Sequence, residues 1–231
     1  MTDTPSPVDS GMRRQLQSFR QQRTNGMPRF GWKVGINDPA AQQRLGLSGP
    51  IVGWLDGRRV FPEGQPYQPS AGAKPRIEAE TAIHIGRDVP GTASLDDARA
   101  AISEVAPAFE FVDGTKPLSP IEEMLAHDIL HDGVMLGPAR PLDTAAGLIA
   151  KGLPSVTLNG APHRVAQPGR YPDDLAEIVL SVARTLGAHG EALLAGDWII
   201  GGSYIDPFDL APGDAVAADF GPLGALTVTC A

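Results

Sequence analysis

Arg76-Ile77-Glu78-Ala79-Glu80-Thr81-Ala82-Ile83-His84-Ile85-Gly86 alternates apolar and polar side chains almost without a break, the pattern of a half-buried β-strand. Period two puts Ile77, Ala79, Thr81, Ile83 and Ile85 on one side and leaves Glu78, Glu80 and His84, beside small Ala82, on the other. Two carboxylates therefore point the same way. Like charges one strand repeat apart repel, so in a protected site they need solvent, a shared proton or a cation. A hard divalent ion answers that need with oxygen ligands, and magnesium keeps open positions for water and substrate, so a third carboxylate from elsewhere is expected.

The third acid is found in Ala106-Pro107-Ala108-Phe109-Glu110-Phe111-Val112-Asp113, a second strand-like run in which Glu110 stands between two aromatics. Taken singly, Glu78 and Glu80 read as a solvated strand face and Glu110 as an edge salt bridge. Taken together, Glu78, Glu80 and Glu110 on two strands, with no helical repeat, read as a metal cup. Upstream, Lys33 lies between Trp32 and Val34 in Phe30 to Ile36, a strand whose other residues are apolar or glycine. Burial there is costly without a partner, and the alternatives are that Lys33 snorkels to solvent or pairs with an acid.

Composition restricts the function classes. The chain has 231 residues, 42% hydrophobic and 20% charged, and is read as a single catalytic domain over residues 1–231 with residues 1–30 as a helical segment packed on its core. The net charge of −8, with no basic cluster larger than pairs such as Arg13-Arg14 and Arg58-Arg59, argues against nucleic acid and anionic membrane surfaces. An anionic substrate then has to be attracted locally, by a bound cation and Lys33. One cysteine, Cys230, excludes an intrachain disulfide and favours a reducing cytoplasmic compartment. Cys230 reads as an ordinary thiol in a last strand rather than as a nucleophile. There is no signal-peptide pattern at the start and no run of membrane-spanning length.

In chain order, Ser10 is expected to cap a helix through about Arg23, with Met12, Leu16 and Phe19 inward. Asn37 to Leu47 reads as a short helical loop, and Gly49 to Leu55 as a strand running into an Asp56-Gly57 hairpin turn. Phe61 to Lys74 is loop. Ser94 and Asp97 mark a helix with Ala98, Ile102 and Val105 buried, and Ser119-Pro120-Ile121-Glu122 a capping box for a helix through about Leu130. His127-Asp128-Ile129-Leu130-His131 has the two-His spacing of a zinc-protease helix with Asp in place of Glu. The shorter acid withdraws the general base, and helix-end histidines are satisfied by the dipole. Pro138 to Leu153 reads as loop and helix, and Ser155 to Gly160 as a strand closing in an Asn-Gly turn. Pro172 is expected to start a helix striped by Leu175, Ile178, Val179, Val182 and Leu186 and stopped by Gly187 and Gly190. Asp197 to Ile200 is a strand entering Gly201-Gly202-Ser203, where absent side chains let backbone approach a ligand. A Gly-x-Ser-x-Gly nucleophile is not supported, because Ile205 replaces the second glycine. Ala215 to Phe220 and Gly224 to Cys230 are the last strands. Many short strands and few helices fit an α+β domain on a mixed sheet.

Trp32-Lys33-Val34-Gly35, Gly46 to Pro50 leading into Val52-Gly53, Pro75 to Glu80, Glu110, and Ala195-Gly196-Asp197 before Gly202-Ser203 occur in that order. Together they resemble the fumarylacetoacetate hydrolase superfamily, in its 2-hydroxypentadienoate hydratase and 4-oxalocrotonate decarboxylase branch, over most of the chain. The resemblance implies a mixed β-roll or sandwich core with peripheral helices. It implies Mg2+ or Mn2+ on Glu78, Glu80 and Glu110, and Lys33 in proton transfer, a task that desolvation would serve by lowering a lysine pKa. It also implies a substrate contact from Gly202 and a hydrogen bond donated to substrate by Ser203. The substrate implied is a small anionic 2-hydroxy-dienoate or 2-oxo acid of aromatic meta-cleavage catabolism. Hydration to a 4-hydroxy-2-oxo acid, decarboxylation of an oxalocrotonate-like acid and acylpyruvate hydrolysis are all compatible with the metal arrangement. Glu122, Glu123 and His127, the only water-activating group to be offered for hydrolysis, read better as capping and surface charges. Where the branch has an Asp-Asn-Ala-Ser type stretch lining the active site, only Asp128 matches, and Ile129 to His131 depart. That departure also leaves room for a non-catalytic subunit bound to a pathway partner enzyme. A homo-oligomer is a further implication.

Overall fold

The computed structural model describes residues 5–142, 154–165 and 174–231. Its strands are β1 Arg29–Gly35, β2 Ile51–Asp56, β3 Val60–Phe61, β4 Pro75–Ile85, β5 Ile102–Asp113, β6 His131–Leu136, β7 Arg140–Pro141, β8 Ser155–Leu158, β9 Ala161–Val165, β10 Trp198–Ile200, β11 Phe208–Asp209, β12 Ala215–Asp219 and β13 Ala225–Thr229. The helices are α1 Pro7–Thr24, α2 Pro39–Leu45, α3 Leu95–Ala101, α4 Ile121–Ala126 and α5 Leu175–Ala188. The larger sheet runs β2-β1-β10-β4-β5-β6-β3, with β11 beside β4 and β7 beside β5, and the smaller runs β13-β12-β8-β9. β1 lies parallel to β10, and β3 parallel to β6, while the other pairs are antiparallel. This is a mixed, α+β architecture. No helix among the described residues is long and apolar enough to cross a membrane.

The long β4–β5 pair is the centre of the larger sheet, and Phe109, Phe111, Ile77 and Ile83 on it are fully buried. Its main core face meets Met12, Leu16 and Phe19 of α1, Ala98 of α3 and the apolar stripe of α5. The expected stripe of α5 is buried at every position. β4 is not half-buried, however. Ala82 on the glutamate side packs with Leu55, Ala106, Ala108, Val134 and Ile200 into a second apolar cluster, so only His84, Glu78 and the first two residues of the strand keep some exposure.

Several expected boundaries are corrected. Ser6, not Ser10, caps α1: its Oγ accepts the Asp9 N–H, and Pro7 fills the first turn, where an N–H has no helical partner. α3 keeps its Ser94/Asp97 capping box but ends at Ala101, because Ile102 pairs with Ile85 as the start of β5. Ile102 and Val105 are therefore strand residues, as β-branched side chains favour. Asp56-Gly57 is a turn without a hairpin, since β2 pairs with β1 and β3 pairs with β6. α4 lacks the expected side-chain cap and ends at Ala126. α5 runs through Gly187, whose missing Cβ lets Gly91 approach, a contact of 2.9 Å to Gly91 Cα if the atom were present. The Asn159-Gly160 turn joins β8 to β9, both residues at positive φ. The helix expected within Pro138 to Leu153, and Pro172 and Asp173, lie wholly or partly outside the described residues.

Candidate active site

Strand register builds the site. Glu78 on β4 stands directly across from Glu110 on β5, and Glu80 follows two residues along, opposite Ala108. Like charges paired across strands oppose sheet formation. One ligand oxygen from each of Glu78, Glu80 and Glu110 can be chosen so that all lie within 4.8 Å of one another. Glu80 and Glu110 are 1% exposed. Lys33 reaches the same place from β1 at 2% exposure. Its Nζ forms an ion pair with Glu110 Oε1 and donates to the Ile129 carbonyl at 2.9 Å. Lys33 is therefore buried and paired, and does not snorkel.

The electrostatics follow from that crowding. Burial, then the Glu110 and Glu78 charges, pushes Glu80 well above the usual carboxylate range. Burial with the Glu110 charge carries Glu78 up to about 7, against Lys33 and Arg76. Glu110 goes the other way: burial raises it, but Lys33 and His131 outweigh burial and hold it down. At Lys33 desolvation does not prevail. Burial does disfavour its ammonium, but Glu110, Glu78 and Asp128 together hold it above the ordinary lysine value. Two buried carboxylates and a partly exposed third, with Lys33 paired to Glu110, are a donor set suited to a hard dication.

The segment after α4 supplies what the sequence did not reveal. Asp128, Ile129 and Leu130 all have positive φ, at 56°, 47° and 66°. Such a run is costly for residues with a Cβ, and it turns the Ile129 carbonyl onto Lys33. Asp128 Oδ1 accepts the Trp54 N–H at 2.8 Å and Gln15 Nε2 at 2.9 Å. Burial pushes its carboxyl up to about 8, more than Trp54, Lys33 and Gln15 pull it down. Gly53 makes room for this packing: a Cβ there would sit 2.9 Å from Lys33 Cγ and 3.0 Å from Asp128 Oδ1. His131 is buried beside Glu110, its Nδ1 3.4 Å from Oε1. Desolvation lowers its pKa more than Glu110 raises it. His127 ends α4 half-exposed, so the two histidines share no helical face and the zinc spacing is not realised. Glu122 and Glu123 pair with Arg14 at the surface.

Gly202 N–H donates to Glu80 Oε2 at 2.7 Å. Glycine is required there, at φ 106°, because a Cβ would lie 2.0 Å from Asn37 Nδ2. Ser203 Oγ donates to the Ile205 carbonyl at 2.8 Å, so its hydroxyl proton is already committed. A cavity of about 400 Å3 is lined by Lys33, Glu78, Glu80, Glu110 and Ser203, with Ile36, Ile129, Leu130 and Ile205 as apolar wall and Arg44 and Arg76 among its charged residues.

No family model matches the chain. By sequence it is 28% identical to a 2-hydroxyhexa-2,4-dienoate hydratase of Comamonas testosteroni, over 86% of this chain and 77% of the relative. It is 24% identical to a 4-oxalocrotonate decarboxylase of a Pseudomonas species, over 87% and 78%. In structure it superposes on 4-oxalocrotonate decarboxylase from Pseudomonas putida G7, solved with magnesium and adipate, with a TM-score of 0.84 at 23% identity over 94% of this chain and 83% of that one.

Proposed function

From its membership of the fumarylacetoacetate hydrolase superfamily, in the branch of dienoate hydratases and 4-oxalocrotonate decarboxylase, we propose that this chain is a divalent-metal-dependent hydro-lyase. The substrate is a small 2-hydroxy-2,4-dienoate, or its 2-oxo-enoate form, and the product a 4-hydroxy-2-oxo acid. The observation that carries this reading is the Glu78–Glu80–Glu110 cluster, with Glu80 and Glu110 buried and Glu110 in contact with a buried lysine. Hydratase relatives and the magnesium in the decarboxylase neighbour support it.

Glu78, Glu80 and Glu110 are the residues that would hold the ion, Mg2+ or Mn2+. When bound, the ion supplies charge neutralisation and Lewis-acid stabilisation at the substrate carboxylate and 2-oxygen. Lys33 holds a proton at Nζ, fixed between Glu110 Oε1 and the Ile129 carbonyl. From there it delivers a proton to the dienoate carbon chain and is restored by the proton that the 2-hydroxyl gives up, which leaves a carbonyl conjugated to the carbon that takes up water. Gly202 orients Glu80 through its N–H, and the Ser203 oxygen faces the substrate as an acceptor. Ile36, Ile129 and Ile205 exclude bulk water from the reacting end. Decarboxylation is the second reading, favoured by the 4-oxalocrotonate decarboxylase relative. A single domain, a cytoplasmic setting, self-association and pairing with a second enzyme of the pathway complete the reading.

Ultraviolet turnover of freshly generated 2-hydroxypenta-2,4-dienoate and of 4-oxalocrotonate tests it. Loss of dienoate absorbance that EDTA abolishes, and that Glu80→Ala and Lys33→Ala each reduce by about a hundredfold to a thousandfold, is the expected result. CO2 release from oxalocrotonate would transfer the assignment to the decarboxylase, and turnover unaffected by EDTA would overturn both.

A further inference from the structure

His131 touches Glu110 but does not line the cavity. It begins β6, pairs with Val112 at an irregularity in the β5–β6 register, and has its carbonyl held by Lys116 Nζ at 2.6 Å. Both ring nitrogens face a partner of defined character. The Asp56 backbone N–H points at Nε2 at 3.3 Å, and an amide can only donate, so Nε2 carries the lone pair. The ring proton is then on Nδ1, which faces Glu110 Oε1 at 3.4 Å, the same oxygen that receives Lys33 Nζ. Two donors on Oε1 leave Oε2 as the oxygen of Glu110 with no hydrogen bond among the described residues.

We propose that His131 is a positioning residue: locked by the Asp56 amide as the Nδ1–H tautomer, it fixes the rotation of the Glu110 carboxylate so that Oε2 is the atom offered to the ion. This rests on the metal reading of Glu78, Glu80 and Glu110. A carboxylate held by outer partners binds metal more tightly because its orientation is settled before binding, and loss of such a partner typically costs 10–100-fold in affinity. The left-handed turn at Asp128 to Leu130 is what delivers the imidazole to this place. A helix continued through His131 would have carried it away from Glu110.

Two measurements test the proposal. Long-range proton–nitrogen spectra of the 15N-labelled, metal-free protein, with His131 assigned by its absence in His131→Asn, should show a pyrrole-type Nδ1 and a pyridine-type Nε2. The opposite tautomer, or an imidazolium at neutral pH, overturns it. Calorimetric titration with Mg2+ should then show a 10–100-fold loss of affinity for His131→Leu and near wild-type affinity for His131→Asn, whose amide nitrogen replaces Nδ1. His131→Gln moves its donor to the Nε2 end and should lose affinity like Leu, so Asn against Gln decides the matter if the Leu variant does not fold. Equal Mg2+ affinity in all folded variants overturns the positioning role. A wild-type protein that binds no Mg2+ instead refutes the metal reading, and the spectra report the tautomer independently.

Discussion

Asp128 shows how one buried side chain sets a dependence on pH. Its carboxyl is pushed up to about 8 from an ordinary 3.8, burial outweighing the bonds from Trp54 and Gln15. Between those values the folded protein keeps a proton that the unfolded chain has released, so the unfolded state binds fewer protons and stability falls as pH rises through the window. This is the reverse of a salt-bridged acid. Each unit of difference is worth about 1.4 kcal/mol. Asp128→Asn keeps the acceptor for Trp54 and the shape of the side chain while removing the titration. The variant is therefore expected to match or trail wild type near pH 4 and to gain on it steadily, by about 2 kcal/mol or more near pH 7, in urea unfolding. Stability curves that run parallel across that range would refute the raised pKa. At this scale, Glu78, Glu80 and Glu110 were legible because strand period two aligns side chains independently of the rest of the fold. Asp128 could be picked out only by resemblance. The roles of the Ile129 carbonyl and His131 were not legible, because three successive left-handed residues without glycine have no local signal and are imposed by the tertiary structure.

At the scale of elements, the lysine strand is held to the sheet by an acid that neither donates to substrate nor lines the cavity. Asp197, just before β10, accepts Arg29 Nε at 2.6 Å, Arg29 Nη2 at 2.7 Å, Trp32 Nε1 at 3.0 Å and the Leu194 N–H at 2.9 Å. It thereby fixes the parallel pairing of β1 with β10 at Gly31 to Lys33. Arg29 keeps 20% of its side chain exposed and can be hydrated, but the buried Trp32 N–H loses its acceptor, so Asp197→Ala is expected to cost about 2–3 kcal/mol. Denaturant unfolding with an unchanged m-value should report it, whereas a loss below about 1 kcal/mol would show that the strand pairing does not depend on this clamp. Element existence was largely legible: hydrophobic period placed β4, the core of β5, α1 and α5. Boundaries were less so, and for specific reasons. Ser6-Pro7 outcompetes Ser10 as a start for α1, and tertiary pairing with β4 converts Ile102 and Val105 from helix stripe to strand. Asp56-Gly57 turns the chain without a hairpin because β3 finds its partner in β6.

For the molecule as a whole, the carboxylate cluster sets stability against function. A protein of net charge −8 places Glu78 across from Glu110, with Glu80 two residues along, in the middle of its larger sheet and pairs Lys33 with Glu110. Glu80 is raised well above its ordinary value chiefly by burial, and next by Glu110 and Glu78. The metal-free fold therefore disfavours the ionised form of this side chain and would be more stable without the titrating group. An ion that binds the folded state alone adds RT ln(1 + [L]/Kd), about 2.7 kcal/mol at a hundredfold excess over Kd. In a chain of this size that raises the melting temperature by roughly 5–10 °C. Glu80→Gln keeps the volume and an acceptor for the Gly202 N–H but removes the charge. The expected signature is a crossing: without ion, the variant melts above wild type, and with Mg2+ or Mn2+ in excess the wild type overtakes it because the variant has lost the ion-dependent rise. Calorimetric melts of both proteins, each with EDTA and with ion, measure all four values. A variant that melts below wild type in EDTA would show that Glu80 is held by structural bonds of greater worth than its repulsion. One that still rises with ion as wild type does would remove Glu80 from the site, and with it the reason the β4–β5 pair tolerates opposed glutamates.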